Sequence, residues 1–558
     1  MMMLSFRNTA AGHPAQMHRT AEKKYSVSQG GNIMALQIIL LVVFFAVMLG
    51  VGFYCRRHAT DVNSFVLGGR SVGPWLTAFA FGTSYFSAVI FVGYAGQFGW
   101  GFGMSTTWVG LGNAFIGSLL AWAILGRRTR IMSQTLDSRT MPDFFGKRYQ
   151  SSALKVVASI IVFIFLIPYT ASLYNGLSSL FNMAFHLPYW VCIVIMAVLT
   201  GIYVTFGGYM ATAINDFIQG IVMLIGIVAV IAAVLISNGG LTEAVKNLSQ
   251  IDAGNGQLGA YTSFFGPQPL ALLFVVLLTS LGTWGLPQMV GKFYSIKNED
   301  AVRKGTIIST LFAIVVAGGC YFLGGFGRLY ADKITYTPSG KPAFDTIIPT
   351  MLSTLPDVII AIVIVLVLSA SMSTLSSLVL TSSSTLTLDV IMPKMKKLPD
   401  EKTVVGMMQG FIVFFIAISA AIAIIKDANP GITFIAQMMG VSWGALAGAF
   451  LAPFLYGLYW KKATKASVWV SFAFGVGVEV FQLWVSLTGN NFDPVLHPVL
   501  SYLFASSVRS GAMTMMVGLI LVPVVSLFTA KPDQDAVDTW FDKFDTTVEV
   551  AAKRSLGD

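Results

Sequence analysis

Residues 361–387 read AIVIVLVLSASMSTLSSLVLTSSSTLT. The first eight are wholly apolar, and of the next nineteen, Ser369 to Thr387, twelve are Ser or Thr. A segment that begins as hydrocarbon and turns to hydroxyls needs a lipid setting and a polar task inside it.

The rest of the chain supplies the lipid setting. It is 55% hydrophobic and 11% charged, where soluble domains carry about 25% charged residues. Apolar runs of about 20 residues, enough to cross a hydrocarbon core of about 30 Å, recur from Met34 onward. Thirteen are expected, at 34–55, 74–98, 104–125, 153–183, 189–206, 211–237, 269–290, 305–327, 356–386, 403–425, 430–459, 466–488 and 511–529. Lipid offers backbone groups no partner, so the runs must be helices. The fold class is an all-α integral membrane protein with membrane lipid as its surroundings, forming one domain over 34–529. The polar, basic stretch 1–33 lacks the apolar core of a signal peptide and reads as a disordered leader, with Met34 as the start. Residues 530–558 form a short tail able to fold into a surface helix.

The net charge of +10 suggests nucleic acid only until it is mapped. Alternate loops and the tail carry 25 Lys and Arg, counting Lys155 at the margin of its span, against 6 on the opposite set. That asymmetry places the tail in the cytoplasm and the start of span 1 outside. Arg127, Arg128 and Arg130, like Lys461, Lys462 and Lys465, read as topology signals, and no nucleic-acid partner is expected. Cys55, Cys192 and Cys320 form no metal or disulfide pattern, and the five histidines make no i, i+4 pair. No HExxH, Ser–His pair or metal cluster suggests an enzyme. A sensor would need an output domain that the tail does not provide, and a channel would conduct without solute coupling.

Two spans are interrupted. Span 2 carries Gly82-Thr83-Ser84 at its middle, residues of weak helix preference. Span 7 carries Gly282, Gly285 and Pro287, and the proline removes a helix donor. Interrupted spans at matching positions of two halves mark a transporter's binding site. The halves would be spans 2–6 and 7–11, and an odd number of spans per half inverts the second. Gly440, Gly444 and Gly448 in span 11 read as a close-packing stripe.

Ala370, Ser373, Thr374 and Ser377 stand at i, i+3, i+4 and i+7 and share one face of span 9. Facing unwound carbonyls near Thr83 and Phe86, they would cage a small hard cation with neutral oxygens. The later cluster Ser382–Thr385 reads as a wet helix end. Two acids lie within spans, where an ionisable group marks a functional site by default. Asp216 in span 6 is expected on the cation's path, and Glu479 in span 12 is expected to bond a neighbour or hold a proton.

The stretches FVLGGRSVGPWLTAFAFGTSYFSA (65–88), TMPDFFGKRY (140–149), YVTFGGYMATAINDFIQG (203–220), GLPQMVGKFYSIKN (285–298) and SASMSTLSSLVLTSSSTLTLDV (369–390) resemble the sodium:solute symporters, bacterial carriers of proline, pantothenate, sugars and sialic acid. The resemblance runs over nearly the whole chain from Met34. It implies a LeuT-type 5+5 inverted repeat with discontinuous spans 2 and 7, and sodium as coupling ion with no other cofactor. It further implies a sodium site from the carbonyls of Thr83, Phe86 and Ala370 and the hydroxyls of Ser373 and Thr374, and a sodium path at Asp216. The expected activity is symport of a small organic solute, an organic acid or amino acid, at the bacterial cytoplasmic membrane. A proton-coupled carrier on the same scaffold, using Asp216 or Glu479, is the alternative. Proline-carrier relatives have an aspartate where this chain has Tyr85. The stretch around Asn215-Asp216 resembles the pantothenate branch. No Arg or Lys lies in spans 2, 7 or 9 to hold a carboxylate. The solute pocket is expected at Tyr85, Ser87, Thr283, Trp284 and Gln437.

Overall fold

The computed structural model of the 558-residue chain describes residues 37–545 apart from 186, 255, 338–339, 398 and 429–434. The expected leader, 1–33, lies outside the described residues. The elements that position the site are, in chain order, α1 (Gln37–Cys55), α2 (Pro74–Tyr85), α3 (Val89–Thr135), the short α4 (Met141–Arg148), α5 (Ser152–Phe185) and α6 (Tyr189–Ser237). After these come α7 (Pro269–Gly285), α8 (Pro287–Tyr294), α9 (Glu299–Gly324), α10 (Asp357–Lys394), α11 (Glu401–Ala428), α12 (Ile435–Tyr459), α13 (Lys465–Thr488), α14 (Ser507–Phe528) and the tail helix α15 (Gln534–Asp542). The described residues contain no named strand, only two isolated β-bridges.

Among the described residues ten helices are long and apolar enough to cross a membrane, or eleven when the bent pair α7 and α8 forms one span. The thirteen expected spans fall on fewer, longer runs. The reason lies in two long helices. α3 has 47 residues and α6 has 49, where about 20 suffice for a crossing. Each contains a glycine with left-handed φ, Gly103 at 63° and Gly208 at 55°, where the sequence divides into separate runs. At each of these glycines two helices are joined across a kink, so one long run holds two of the expected spans. In the other direction, α2 has 12 residues and is too short to cross alone.

Both interruptions expected from the sequence are present, and they match. Phe86, after α2, has φ −81° and ψ 117°, and Leu286, between α7 and α8, has φ −87° and ψ 120°. Pro287 explains the second, because a proline ring pushes its predecessor out of the helical region. The first falls slightly later than expected. The helix runs through Gly82, Thr83 and Ser84 and opens at Phe86 and Ser87. α7 and α8 meet at 45°.

α10 packs inside the bundle against α2, α5 and α6, and Ser369–Thr374 are almost wholly buried. Elsewhere glycines bring backbones together. A Cβ on Gly99 of α3 would lie 1.9 Å from the Gly324 carbonyl oxygen of α9. At the end that carries the tail, α15 folds back as a surface helix. Arg127 donates to the Phe544 carbonyl at 2.9 Å, Arg128 lies over the Phe544 ring at 4.5 Å, and Lys461 pairs with Asp538 at 2.7 Å. Buried Arg148 donates to the carbonyls of Gly457 and Trp460. The basic residues read as topology signals are thus also cross-links between helix ends.

Gly99→Val should strain the α3–α9 contact and lower stability by about 1–3 kcal/mol or more, read as a drop in melting temperature of the purified protein. Gly101→Ala, at a position with nothing within 4 Å, should melt near the parent temperature.

Candidate functional site

The extended backbone at Phe86 turns the carbonyls of Thr83 and Phe86 toward α10. The Ser373 hydroxyl lies 3.2 Å from the Thr83 carbonyl oxygen and 3.2 Å from that of Ala370. The Thr374 hydroxyl lies 3.2 Å from Thr83 O, 3.3 Å from Phe86 O and 3.2 Å from Ala370 O. All five residues are fully buried. Each hydroxyl carries one proton, so at most two of these five contacts are hydrogen bonds at any instant. The remaining lone pairs face one another, which is the condition a cation relieves. A hard cation bound at about 2.4 Å from oxygen sets neighbouring ligands of a roughly octahedral shell about 3.4 Å apart, close to the spacing here. Both chain segments are needed: α10 supplies the hydroxyls by helical periodicity, and the α2 break supplies the carbonyls.

One turn along α10, Ser377 shares a hydrogen bond with Ser84 of α2 at 2.8 Å. It also accepts from the Lys292 ammonium at 3.0 Å. Lys292 lies on α8, and its Nζ is 3.6 Å from Asp216 Oδ2 of α6 and 5.2 Å from the centroid of the Tyr209 ring. Both charged side chains are buried, at 4% and 0% exposure. A cavity lined by Arg139, Tyr209, Gln288, Lys292, Ser377 and Ser384 adjoins the pair. Asp216 therefore stands beside the hydroxyl stripe, as the path reading requires, but its carboxylate already faces a cation. Lys292 was missed because the expected span 7 ended at residue 290. The signal was there in GLPQMVGKFY: a lysine following a proline-broken apolar run continues the second half-helix, α8.

The expected solute residues divide into two groups. Tyr85 and Ser87 flank the break, and neither hydroxyl has a hydrogen-bond partner among the described residues. Tyr85 packs on Trp443 at 5.8 Å between ring centroids, and Tyr169 stands edge-on to the same indole at 6.0 Å. Thr283 and Trp284 have other partners: Thr283 Oγ1 lies 2.8 Å from the Ser280 carbonyl of its own helix and 3.2 Å from the Gly117 carbonyl of α3, and Trp284 Nε1 donates to Ile116 of α3 at 3.0 Å. Gln437 donates to Ser486 of α13 and is not brought into this group. Tyr169 and Trp443 carry no local sequence signal, since only packing brings α5 and α12 to the break.

Three other readings meet the structure differently. Ser382–Thr385 are buried, and Ser384 and Thr385 line the cavity beside Lys292, so the cluster is not an exposed helix end. At the far end of α10, Asp389 accepts from Thr140 at 2.6 Å, tying it to the start of α4. Glu479 lies on α13, wholly buried, with both carboxyl oxygens lacking a hydrogen-bond partner among the described residues.

A family model described as Sodium:solute symporter family matches residues 65–475. The osmoregulated proline transporter OpuE of Bacillus subtilis (strain 168) is 30% identical over 457 residues, covering 81% of this chain and 89% of the relative. A sodium/proline symporter of Staphylococcus aureus (strain bovine RF122 / ET3-1) is 28% identical over 518 residues, covering 91% and 95%. A Na+-coupled sialic acid symporter, solved substrate-bound and outward-open, superposes with a TM-score of 0.68 at 18% identity, over 89% of this chain and 99% of that one. The fold is of the LeuT type, with its two breaks at Phe86 and Leu286. With the family match spanning most of the chain, the protein belongs to the sodium:solute symporter family, whose members are transporters with sodium as the coupling ion and not enzymes.

Proposed function

We propose that the chain takes up a small carboxylate-bearing solute by sodium symport, with sodium held by the carbonyls of Thr83, Phe86 and Ala370 and the hydroxyls of Ser373 and Thr374. The observation that carries this is the convergence of those five oxygens across two helices. Sodium bridging α2 and α10 would stabilise the outward-open arrangement and order the break. The solute would lie at the break beside Tyr85 and Ser87, whose hydroxyls face those of Tyr321 and Tyr169. Its carboxylate would meet free N–H groups where the helix restarts after Ser87. The relatives named above carry proline, so proline is the first solute to test. Tyr85, where proline carriers have an aspartate, is reason to test other amino acids and monocarboxylates beside it.

The tail end of the bundle is proposed to face the cytoplasm of a bacterial cell, on the loop-charge asymmetry. Inward release would then run from the five-oxygen cluster past Ser377 to Asp216 and the adjoining cavity. Lys292 gives that route a gate. With its ammonium on Asp216 the carboxylate is already neutralised, and sodium meets no trap on the way out. A sodium ion reaching Asp216 must displace the ammonium first. The membrane potential adds about 2.3 kcal/mol per charge per 100 mV in the uptake direction.

In proteoliposomes, Ser373→Ala or Thr374→Ala should raise the sodium concentration for half-maximal uptake about ten-fold or more, as expected for losing an oxygen contact to a charge. Unchanged sodium dependence in both variants would remove the cage. Lys292→Met alone leaves a buried carboxylate unpaired, which costs about 3–5 kcal/mol and should lower the yield of folded protein. Adding Asp216→Asn should restore the yield but not sodium-driven uptake. Restored uptake in the double variant would show the pair to be structural only.

A further inference from the structure

Glu479 has no part in the sodium route. It sits at 0% exposure on α13, outside the two five-span repeats expected from the sequence. Neither carboxyl oxygen has a hydrogen-bond partner among the described residues. Gly444 of α12 makes the room for it: a Cβ there would stand 2.6 Å from the carboxyl carbon and 2.8 and 2.9 Å from its oxygens. The neighbouring glycines do the same for other polar groups. A Cβ on Gly440 would meet the Ser507 hydroxyl at 2.3 Å, and one on Gly448 the Thr514 hydroxyl at 2.6 Å. The stripe read as plain close packing therefore seats polar side chains of α13 and α14 against α12.

The groups around Glu479 define its chemistry. Ser510 of α14 faces it but gives its own proton to the backbone carbonyls of Ser506 and Ser507. Arg509 is turned away, with its guanidinium 3.9 Å over the Tyr502 ring and donating to the Tyr502 carbonyl. No Lys, Arg, His or second carboxylate pairs with Glu479 among the described residues. The titratable neighbour is Tyr94 of α3, whose hydroxyl also lacks a partner and lies 3.6 Å from the Cβ position of Gly440, one turn from Gly444. Tyr94 ends the segment Val89–Tyr94 that restarts the helix after the Phe86 break. On α13 itself, Glu479, Gln482 and Ser486 share one face at i, i+3 and i+7. Gln482 donates to Ser486 at 2.8 Å, and Gln437 of α12 donates to the same hydroxyl. This column of amides and hydroxyls runs from Glu479 toward the end of α13 opposite the tail.

We propose that Glu479 is a proton-binding site, reached through the Gln482–Ser486–Gln437 column and coupled through Tyr94 to the helix that restarts at the break. An unpaired carboxylate is unfavourable in such surroundings, so the resting form is the uncharged acid, a donor. Loss of that proton to water, with the polar face of Gln482 and Ser486 as the way in, converts the group into an acceptor for the Tyr94 and Ser510 hydroxyls. Tyr94 would then be drawn toward α12, and with it the segment that follows Phe86. Protonation of Glu479 thereby biases the open or closed state of the sodium and solute sites without contributing to either.

The test is an infrared pH titration of the purified full-length protein, with Glu479→Gln as the variant that mimics the uncharged acid and so keeps the fold. The parent should show a carboxylic-acid carbonyl band that fades as pH is raised from mildly acid to mildly alkaline, and Glu479→Gln should lack it. Sodium-driven uptake, with pH equal on both sides, should change by at least about three-fold over that range in the parent and stay flat in the variant. Tyr94→Phe should keep the band and move its midpoint. A band that persists unchanged across the range, or a Glu479→Gln uptake profile matching the parent, overturns the proposal. The infrared result needs neither sodium nor solute, so it stands or falls separately from the cage.

Discussion

Everything in this bundle is arranged around the contact between an opened helix and a stripe of hydroxyls. Extended backbone at Phe86 frees two carbonyls that a continuous helix would have satisfied, in the one medium where water cannot replace the lost partner. Ser373 and Thr374 of α10 meet that need only in part, because two protons cannot serve the five contacts they make to three carbonyls. The fold thus maintains a deficit of positive charge at its centre without burying a formal anion. In the proposed reading such a cluster would hold a cation through many weak dipoles and no formal charge.

The buried ion pair next to it obeys the opposite rule. Asp216 and Lys292 are full charges at almost no exposure, an arrangement whose desolvation cost rivals its attraction. Its use is more readily found in switching than in stability. Ser377 joins the two layers, since one hydroxyl touches both Ser84 of the opened helix and the Lys292 ammonium. A change at the five-oxygen cluster is therefore one hydroxyl away from the ion pair. The link from Asp389 to Thr140 anchors the same helix at its far end, so α10 is held at both levels while the breaks lie after α2 and before α8.

The helices after the second broken pair make a different kind of polar interior. Along α12, glycines leave gaps filled by Glu479, Ser507 and Thr514 from its neighbours, and packing rather than ion pairing keeps these groups in place. The same helix places Trp443 against Tyr85 and Tyr169. One face of α12 thus packs beside the break at Tyr85 while another houses an isolated acid.

Much of this was legible in the residue order because it is local. Apolar run length fixed the lipid setting and the helical class, and Pro287 with its glycines marked the second break. A four-residue periodicity put Ala370, Ser373, Thr374 and Ser377 on one face. These rules act within a turn or two of chain. What the tertiary structure alone decided depends on which distant segments touch. Lys292 and Asp216 are far apart in sequence and only the packing of α8 against α2 and α10 brings them together as a pair. Thr283 and Trp284 look like pocket residues until carbonyls of α3 and of their own helix take up their donors, and Gln437 until α13 does. Gly103 and Gly208, by contrast, mark breaks in composition, and the backbone kinks at both. Side-chain direction and ion pairing are set by neighbours that the chain brings together only on folding.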